Sequence, residues 1–465
     1  MKSVVEEPRP ERAGSQAGKS RRDFLKMSAV SGAALASGGV LAACGGSSST
    51  KTAAKTSGPV RLTTAKFDWV PNDLAYQQKL ATQFHQTHPN ITVVPASYPT
   101  TTEAAYLTSQ YASSSPPDIV YHADNTWVEF AAAGALLDIT DRVKDPAYAK
   151  DYEAIPQHVW DSVTYKGRIW GIPIGASLDT QIVNLDLLEA AGATGLGSGL
   201  VSPEPWSYDD MRTAVAEVSK KRPGTYGFAT GGNAAAFDWT YALNYLYSNG
   251  GELVTSDGAL GLNQTTAEPA WDLLRNIVVV DKAAAPLGLS TQGLVSLFTA
   301  GKLAVFEFSA VIATCVAPNP KGLPFKWQAR LIPAGPSGSP AGRLSTGVWC
   351  VSKKTTDPDA AFLYAEYLTS ASTVTNYVKS MFGGLDVYPA RTDISLWDPK
   401  IPLQKASREM FLELFPHGKP GPQVPQEAGI VHAMGTQYEA LLQGKQSAAE
   451  MVKNTASAIT PLLGA

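Results

Sequence analysis

From Val60 onward, short extended runs alternate with amphipathic helical runs, and this alternation constrains the fold more than any other feature of the 465-residue chain. Pro71-Asn72-Asp73 precedes a helical run in which Tyr76, Leu80 and Phe84 share one face, and Pro89-Asn90 stops it before the strand-like Ile91-Thr92-Val93-Val94. Asp118 to Tyr121 reads as a short strand, Thr126 to Ala133 as a helix and Gly134 as its terminator. Arg168 to Ile174 and Gln181 to Asn184 are again extended, and Asp186 to Ala191 is a helix ended by Gly192. Strands and helices in this order favour sheets covered by helices on both faces, an α/β fold.

The pattern continues after the turn Pro203 to Trp206. Ser207 caps the next helix and Asp210, three residues on, answers the free amides of its first turn. The neighbouring Asp209 and Asp210 are thereby accounted for by the helix dipole, without acid-base chemistry. Helices are expected at Phe237 to Leu246, Thr266 to Asp281 and Ser290 to Ala300, with Gly301 before a strand at Leu303 to Phe308. Trp327 to Leu331 and Val348 to Ser352 are extended, on either side of the loop Ala334 to Gly342. Pro358 to Thr369 starts a mainly helical C-terminal quarter, and Ser447 and Glu450 form a second capping box before the last helix.

The front of the chain reads as an address rather than as structure. Met27 to Ala43 is uncharged but diluted by Ser and Gly, a poor fit to a span of ~20 strongly apolar residues. Arg21 and Arg22, followed by Phe24, Leu25 and Lys26, resemble a twin-arginine export signal, and Leu41-Ala42-Ala43-Cys44 resembles a lipobox that leaves Cys44 as a lipid-modified N-terminus. Gly45 to Ser49 begins a flexible tether, taken to residue 58. Without residues 1–44, 421 residues remain, with 31 Lys/Arg against 37 Asp/Glu, enough for two lobes and too acidic for a nucleic-acid footprint. An exported protein could bridge the remaining Cys315 and Cys350; separate buried thiols are the expected state.

Signatures of chemistry are sparse. Gly14 to Ser20 imitates a phosphate loop, but Ala13 stands where its first glycine belongs and no strand precedes it. No His-Glu-x-x-His pair, Cys-x-x-Cys set or Gly-x-Ser-x-Gly elbow occurs, so no metal or cofactor is expected. Two carboxylates distant in sequence could still converge as a glycosidase pair, which keeps a secreted, tethered carbohydrate-active enzyme as the alternative reading. A purely structural surface lipoprotein is a third.

Ser113-Ser114-Ser115-Pro116-Pro117-Asp118-Ile119-Val120, followed by a helix and Ala132-Ala133-Gly134-Ala135-Leu136-Leu137-Asp138, is similar to the extracellular solute-binding proteins of ABC importers, the group that contains maltodextrin and other sugar binders. Tyr165-Lys166-Gly167-Arg168-Ile169-Trp170-Gly171-Ile172-Pro173 resembles that family's Tyr-x-Gly-Lys-x-Tyr-Gly-x-Pro strand. Asn184 to Leu188 matches its Asn-Lys-Asp-Leu segment with Leu185 replacing the usual lysine. Trp206-Ser207-Tyr208, Phe298 to Val305, Gly347 to Ser352, Asp359 to Phe362 and Pro389-Ala390-Arg391 continue the resemblance through most of residues 60 to 460.

The resemblance implies a two-lobed periplasmic-binding-protein fold, type II-like, with hinge-crossing segments and ligand held between the lobes. Lobe one is expected at 59–174 plus 345–388, and lobe two at 175–344 plus 389–465. Ligand contacts carried over by position are Asp68, Asn72 and Asp73 after the first strand, His122, Asn125 and Thr126 after the Asp118 strand, and Ser177 and Asp179. Asp238, Trp239 and Tyr241 ahead of Gly250-Gly251, Glu307 and Phe308, Gly347 and Trp349, and Gly383, Gly384 and Asp386 complete the set. Aromatic faces suit pyranose rings and Asp or Asn side chains suit hydroxyls. Any one tryptophan fits core or ligand equally; Trp239 and Trp349 are the expected contacts, while Trp160 and Trp271 look like packing. Asn125 suits helix capping as well as a ligand, and Arg391 is expected to order its loop, an anionic ligand being the alternative. The implied function is capture of a sugar or related polar solute by a monomeric lipoprotein on the outer face of the cytoplasmic membrane, for delivery unchanged to permease subunits.

Overall fold

The computed structural model describes residues 58–464 except 69–72, 100–102, 124–125, 194–195, 197–198, 205, 231–238, 310, 317–318, 320–321, 383–387, 395–399 and 401. Contacts divide the chain into Met1–Thr52 and Ala53–Ala465, and every described residue belongs to the second unit. The leader with Arg21, Arg22 and Cys44, and the tether through residue 57, therefore lie outside the described residues, as do Asn72, Asn125, Asp238, Gly383, Gly384 and Asp386. Among the described residues no helix is long and apolar enough to cross a membrane.

Two sheets organise the chain. The first begins with β1 (Val60–Asp68), β2 (Ile91–Pro99) and β3 (Ile119–His122). A short hairpin of β4 (Thr164–Tyr165) and β5 (Arg168–Ile169) precedes β6 (Ile172–Leu178). The second sheet holds β7 (Thr180–Asn184), β8 (Val201–Ser202), β9 (Tyr226–Thr230), β10 (Leu303–Phe308) and β11 (Trp327–Arg330). The chain then returns through β12 (Gly342–Val351), β13 (Tyr388–Pro389) and β14 (Gly418–Pro420). The first sheet runs β13-β6-β12-β3-β1-β2 with β14 beside β12, and the second β8-β11-β7-β10-β9. β1 pairs in parallel with β2 and β3, whereas β12 lies antiparallel between β3 and β6, so the returning strand is central to the first lobe.

Local sequence explains the helices that cover these sheets. The helix Asp73–Thr87 buries Tyr76, Leu80 and Phe84, the face given by their spacing. Ser207 and Asp210 form the reciprocal capping box that opens Tyr208–Lys221, and Ser447 with Glu450 does the same for Ala448–Leu463. The helix Gln264–Arg275 packs against Ala448–Leu463, which in turn packs on Glu427–Leu442. Buried Trp271 belongs to this second-lobe core and Trp160 to the core of the first, both as packing residues.

The crossings fall a few residues from the expected boundaries. β6 remains in the first sheet to Leu178, and one residue, Asp179, separates it from β7 in the second. β12 joins the first sheet from Gly342, and β13 and β14 bring Pro389 and Gly418–Pro420 to that sheet as well. The helices Glu427–Leu442 and Ala448–Leu463 return to the second lobe. The offset has a physical reason: β6 and β12 pair from Ile172↔Trp349 to Leu178↔Leu344, and a ladder of that length is retained up to the point where the chain leaves the sheet.

Candidate functional site

The two crossing segments are tied by a buried polar network. The Asp179 amide donates to the Arg343 carbonyl (3.0 Å), and Arg343 Nε approaches Asp179 Oδ2 at 3.2 Å. Asn244, on the helix Thr240–Ser248, accepts from the Arg343 amide (2.7 Å) and donates from Nδ2 to Asp179 Oδ2 (3.2 Å) and Glu307 Oε1 (2.7 Å). Tyr245 donates to Glu307 Oε2 (2.8 Å). Burial raises the Glu307 carboxyl to about 8, and nearby Asp179 adds to the rise. Gly342 is required where the segments cross, since a Cβ there would stand 2.3 Å from the Asp179 carbonyl oxygen. Ser177 adds a link between the lobes by donating to the Ser309 carbonyl (3.1 Å) just past β10.

Beside this hinge lies a cleft of ≈ 320 Å³. The first lobe contributes Leu107 from the helix Glu103–Ala112 and Thr126, Glu129 and Phe130 from the start and first turn of Trp127–Ala132. The second contributes Trp239 and Thr240 at the start of Thr240–Ser248, and Glu427, Ala428 and Val431 from Glu427–Leu442. Arg343 and Leu344 of the crossing strand form its back, with Gly421 nearby. Apolar rings and a few polar groups drawn from both lobes are the usual makeup of a small-molecule site.

His122 sets up the first-lobe wall without reaching the cleft. Its ring is fully buried; Nε2 lies 3.0 Å from the Tyr111 hydroxyl and Nδ1 3.3 Å from Thr126 Oγ1, which itself donates to the Ala123 carbonyl (2.9 Å). Because the threonine proton is spent on that carbonyl, Nδ1 carries the imidazole hydrogen and Nε2 accepts from tyrosine. Burial lowers the His122 pKa to about 3, so the ring stays neutral and holds Thr126 at the cleft edge. Glu129 has a different standing: it is half-buried, and among the described residues its carboxylate has no hydrogen-bond or ion-pair partner. Burial pushes its pKa up.

Of the sequence-expected contacts, the cleft brings together Thr126 and Trp239. Several others belong to the framework. Trp349 is 1% exposed against 8% for Trp239, and it packs edge-on against Tyr121 (5.4 Å) in the first-lobe core. Its strand is paired along both edges, by β3 and β6. Gly347 makes room for the Tyr121 hydroxyl, 2.1 Å from where its Cβ would be. Asp73 is buried in an ion pair with Lys66, whose ammonium also faces the Phe67, Tyr121 and Tyr377 rings. Asp179 and Glu307 are consumed by the hinge network, Ser177 by its bridge to Ser309, and Phe308 stacks on Phe306 (5.8 Å). Tyr241 is buried within its helix, and Asp68 ends β1.

Arg391 orders its loop, as expected: it is buried, pairs with Asp393 (2.9 Å), and donates to the carbonyls of Thr369 (3.2 Å) and Asp151 (2.7 Å). Cys315 and Cys350 are separate buried thiols. The sequence reading missed Glu129, Phe130 and Arg343. The first two sit three and four residues after Thr126 on the same helix face, a spacing that would have found them once Thr126 was placed. Arg343 offers no local signal, being one residue beyond a Gly/Pro/Ser-rich loop.

Comparisons with known proteins agree with this architecture. A lipoprotein of Streptomyces antibioticus, itself uncharacterized, is 26% identical over 314 residues, 64% of this chain and 65% of that protein, so the match spans slightly less than two thirds of that relative's length. An ABC substrate-binding protein from Listeria monocytogenes in complex with cycloalternan superposes with a TM-score of 0.69 at 21% identity, covering 87% of this chain and 99% of that one. The sugar-binding protein MalE from the phytopathogen Xanthomonas citri gives a TM-score of 0.70 at 20% identity, with 87% and 98% covered. At these identities the likeness establishes the two-lobed fold. Residues 20–38 match the twin-arginine translocation pathway signal sequence. The model of the bacterial extracellular solute-binding protein family matches residues 69–374, well over half of the chain, and the protein belongs to that family.

Proposed function

We propose that the protein captures a sugar or related polar solute in the cleft between its lobes and passes it, chemically unchanged, to permease subunits of an ABC importer. The observation that carries this reading is the cleft's composition: the Trp239 and Phe130 rings from opposite lobes, with Thr126 and a Glu129 carboxylate that has no partner among the described residues. Rings of this kind cover the apolar face of a pyranose while hydroxyl and carboxylate groups meet its edge. Asn125 and Asp238 each precede a cleft-lining residue by one position, which supports them as further contacts. Ligand stabilises the closed arrangement of the lobes, the hinge being the Asp179 and Arg343 crossing. The twin-arginine leader and Cys44 support export followed by lipid anchoring at the outer face of the cytoplasmic membrane.

The test is a titration of the chain lacking residues 1–44 with maltose, maltotriose and chitosan disaccharide, followed by tryptophan fluorescence and thermal shift. A saturable response is expected, with about 2.7 kcal/mol of added stability at ~100 times the dissociation constant. The sugar is expected back intact. No response to any sugar, or release of hydrolysis products, defeats the reading.

A further inference from the structure

We infer that the cleft is built for a saccharide bearing a protonated amine, and that Glu129 is the residue that selects it. The inference rests on the sugar reading above and names the ligand class of that same site. Charge is the argument. The described residues lining the cleft include two carboxylates, Glu129 and Glu427, and one cation, Arg343. Arg343 Nε is held 3.2 Å from Asp179, itself almost fully buried, and Glu427 has an interaction of its own, which leaves Glu129 as the carboxylate open to a ligand. The Glu129 carboxylate has no partner among the described residues, and it stands one turn beyond Thr126 on the wall that faces Trp239 and Thr240 across the cleft.

A carboxylate left in a half-buried site is costly unless something donates to it. A hydroxyl supplies one neutral hydrogen bond; an ammonium supplies a charge-assisted one in a site whose reduced dielectric strengthens the attraction. Phosphorylated and acidic sugars meet the opposite situation, since the Glu129 carboxylate repels an anion and Arg343 already shares its charge with Asp179. Arg391, the other residue that could have recruited an anion, is spent on Asp393 and two carbonyls. The desolvation that pushes up the Glu129 pKa is the same penalty that an ammonium partner relieves.

The experiment measures dissociation constants of chitosan disaccharide, its N,N′-diacetyl form, maltose and maltose 1-phosphate in ~20 mM and ~500 mM salt. The wild-type protein is expected to prefer chitosan disaccharide over its acetylated form about tenfold at low salt, with the preference reduced at high salt and the phosphate weakest. Glu129→Gln is expected to abolish the preference while leaving the melting temperature within a few degrees, since the side chain has no partner to lose among the described residues. Glu129→Lys is expected to reverse it, favouring the phosphate. Equal binding of amine and acetylated sugars by the wild type, or a preference unchanged in Glu129→Gln, overturns this inference while leaving the sugar reading standing. Silence toward every sugar overturns both.

Discussion

Replacing Glu307 by Gln removes the pH-dependent charge of a buried carboxyl while keeping its shape and one of its two accepted hydrogen bonds. Glu307 is fully buried, receives Asn244 Nδ2 at 2.7 Å and the Tyr245 hydroxyl at 2.8 Å, and titrates near 8 instead of 4.5. In the unfolded chain it loses its proton near the ordinary value, so between about 4.5 and 8 the folded protein holds a proton that the unfolded one has released. Stability from this group is therefore complete below pH 4.5 and is lost as pH rises through 8. At about 1.4 kcal/mol per pKa unit, the loss is a few kcal/mol, with a ceiling of about 5. Glutamine has the same shape and no proton to lose, so the variant lacks this slope. Urea unfolding at pH 5, 6.5 and 8, followed by both fluorescence and far-ultraviolet circular dichroism, gives the comparison; coincident curves show that a single free energy is meaningful. The glutamine NH2 cannot accept one of these two bonds, which costs about 1–3 kcal/mol at every pH, so the variant is expected to be the less stable at pH 5 and to gain a few kcal/mol on the wild type between pH 5 and 8. Glu366, raised to about 7 by burial, is present in both and cancels. A stability difference that stays constant from pH 5 to 8 would refute the reasoning.

Three other outcomes follow from the geometry. Trp239→Ala is expected to weaken sugar binding at least about tenfold with a modest fall in melting temperature, whereas Trp349→Ala costs about 3–5 kcal/mol of stability; equal effects on binding and melting in the two variants would contradict the assignment of one to the cleft and one to the core. Gly347→Ala drives a methyl group into the Tyr121 hydroxyl and is expected to destabilise by about 1–3 kcal/mol, with Gly347→Ala/Tyr121→Phe recovering part of the loss in chemical denaturation. His122, held neutral at about 3 while the unfolded chain titrates at 6.5, contributes stability that is present above pH 6.5 and lost as pH falls below it; at pH 5 this amounts to about 2 kcal/mol, and His122→Asn should remove that acid-side slope.

Much of the fold is written in short stretches of chain. Capping boxes at Ser207 and Ser447 depend on residues three apart, and the helix-ending Gly134 and Gly192 adopt positive φ as such terminators do. Leu303 to Phe308 and Pro358 to Thr369 fall where their patterns place them. These features answer to nearest neighbours, and so a one-dimensional reading reaches them. The crossing points were harder, because the length of the β6 and β12 ladder depends on two segments more than 150 residues apart recognising each other.

The chain's order of strands, helices and motifs was enough to specify an exported, two-lobed binding protein and to pick out Thr126 and Trp239, which line the cleft. It was not enough to tell Trp239 from Trp349, or Glu129 from Glu307. Each pair has the same side-chain chemistry, and the helix or strand that carries each member does not say whether it is covered. What separates them is assembly: β12 slides between β3 and β6 and takes Trp349 inside, Asn244 and Tyr245 close over Glu307, and Glu129 is left facing an opening that neither lobe fills alone. Burial is a property of what packs on a side chain from far away in sequence, and no local pattern encodes it.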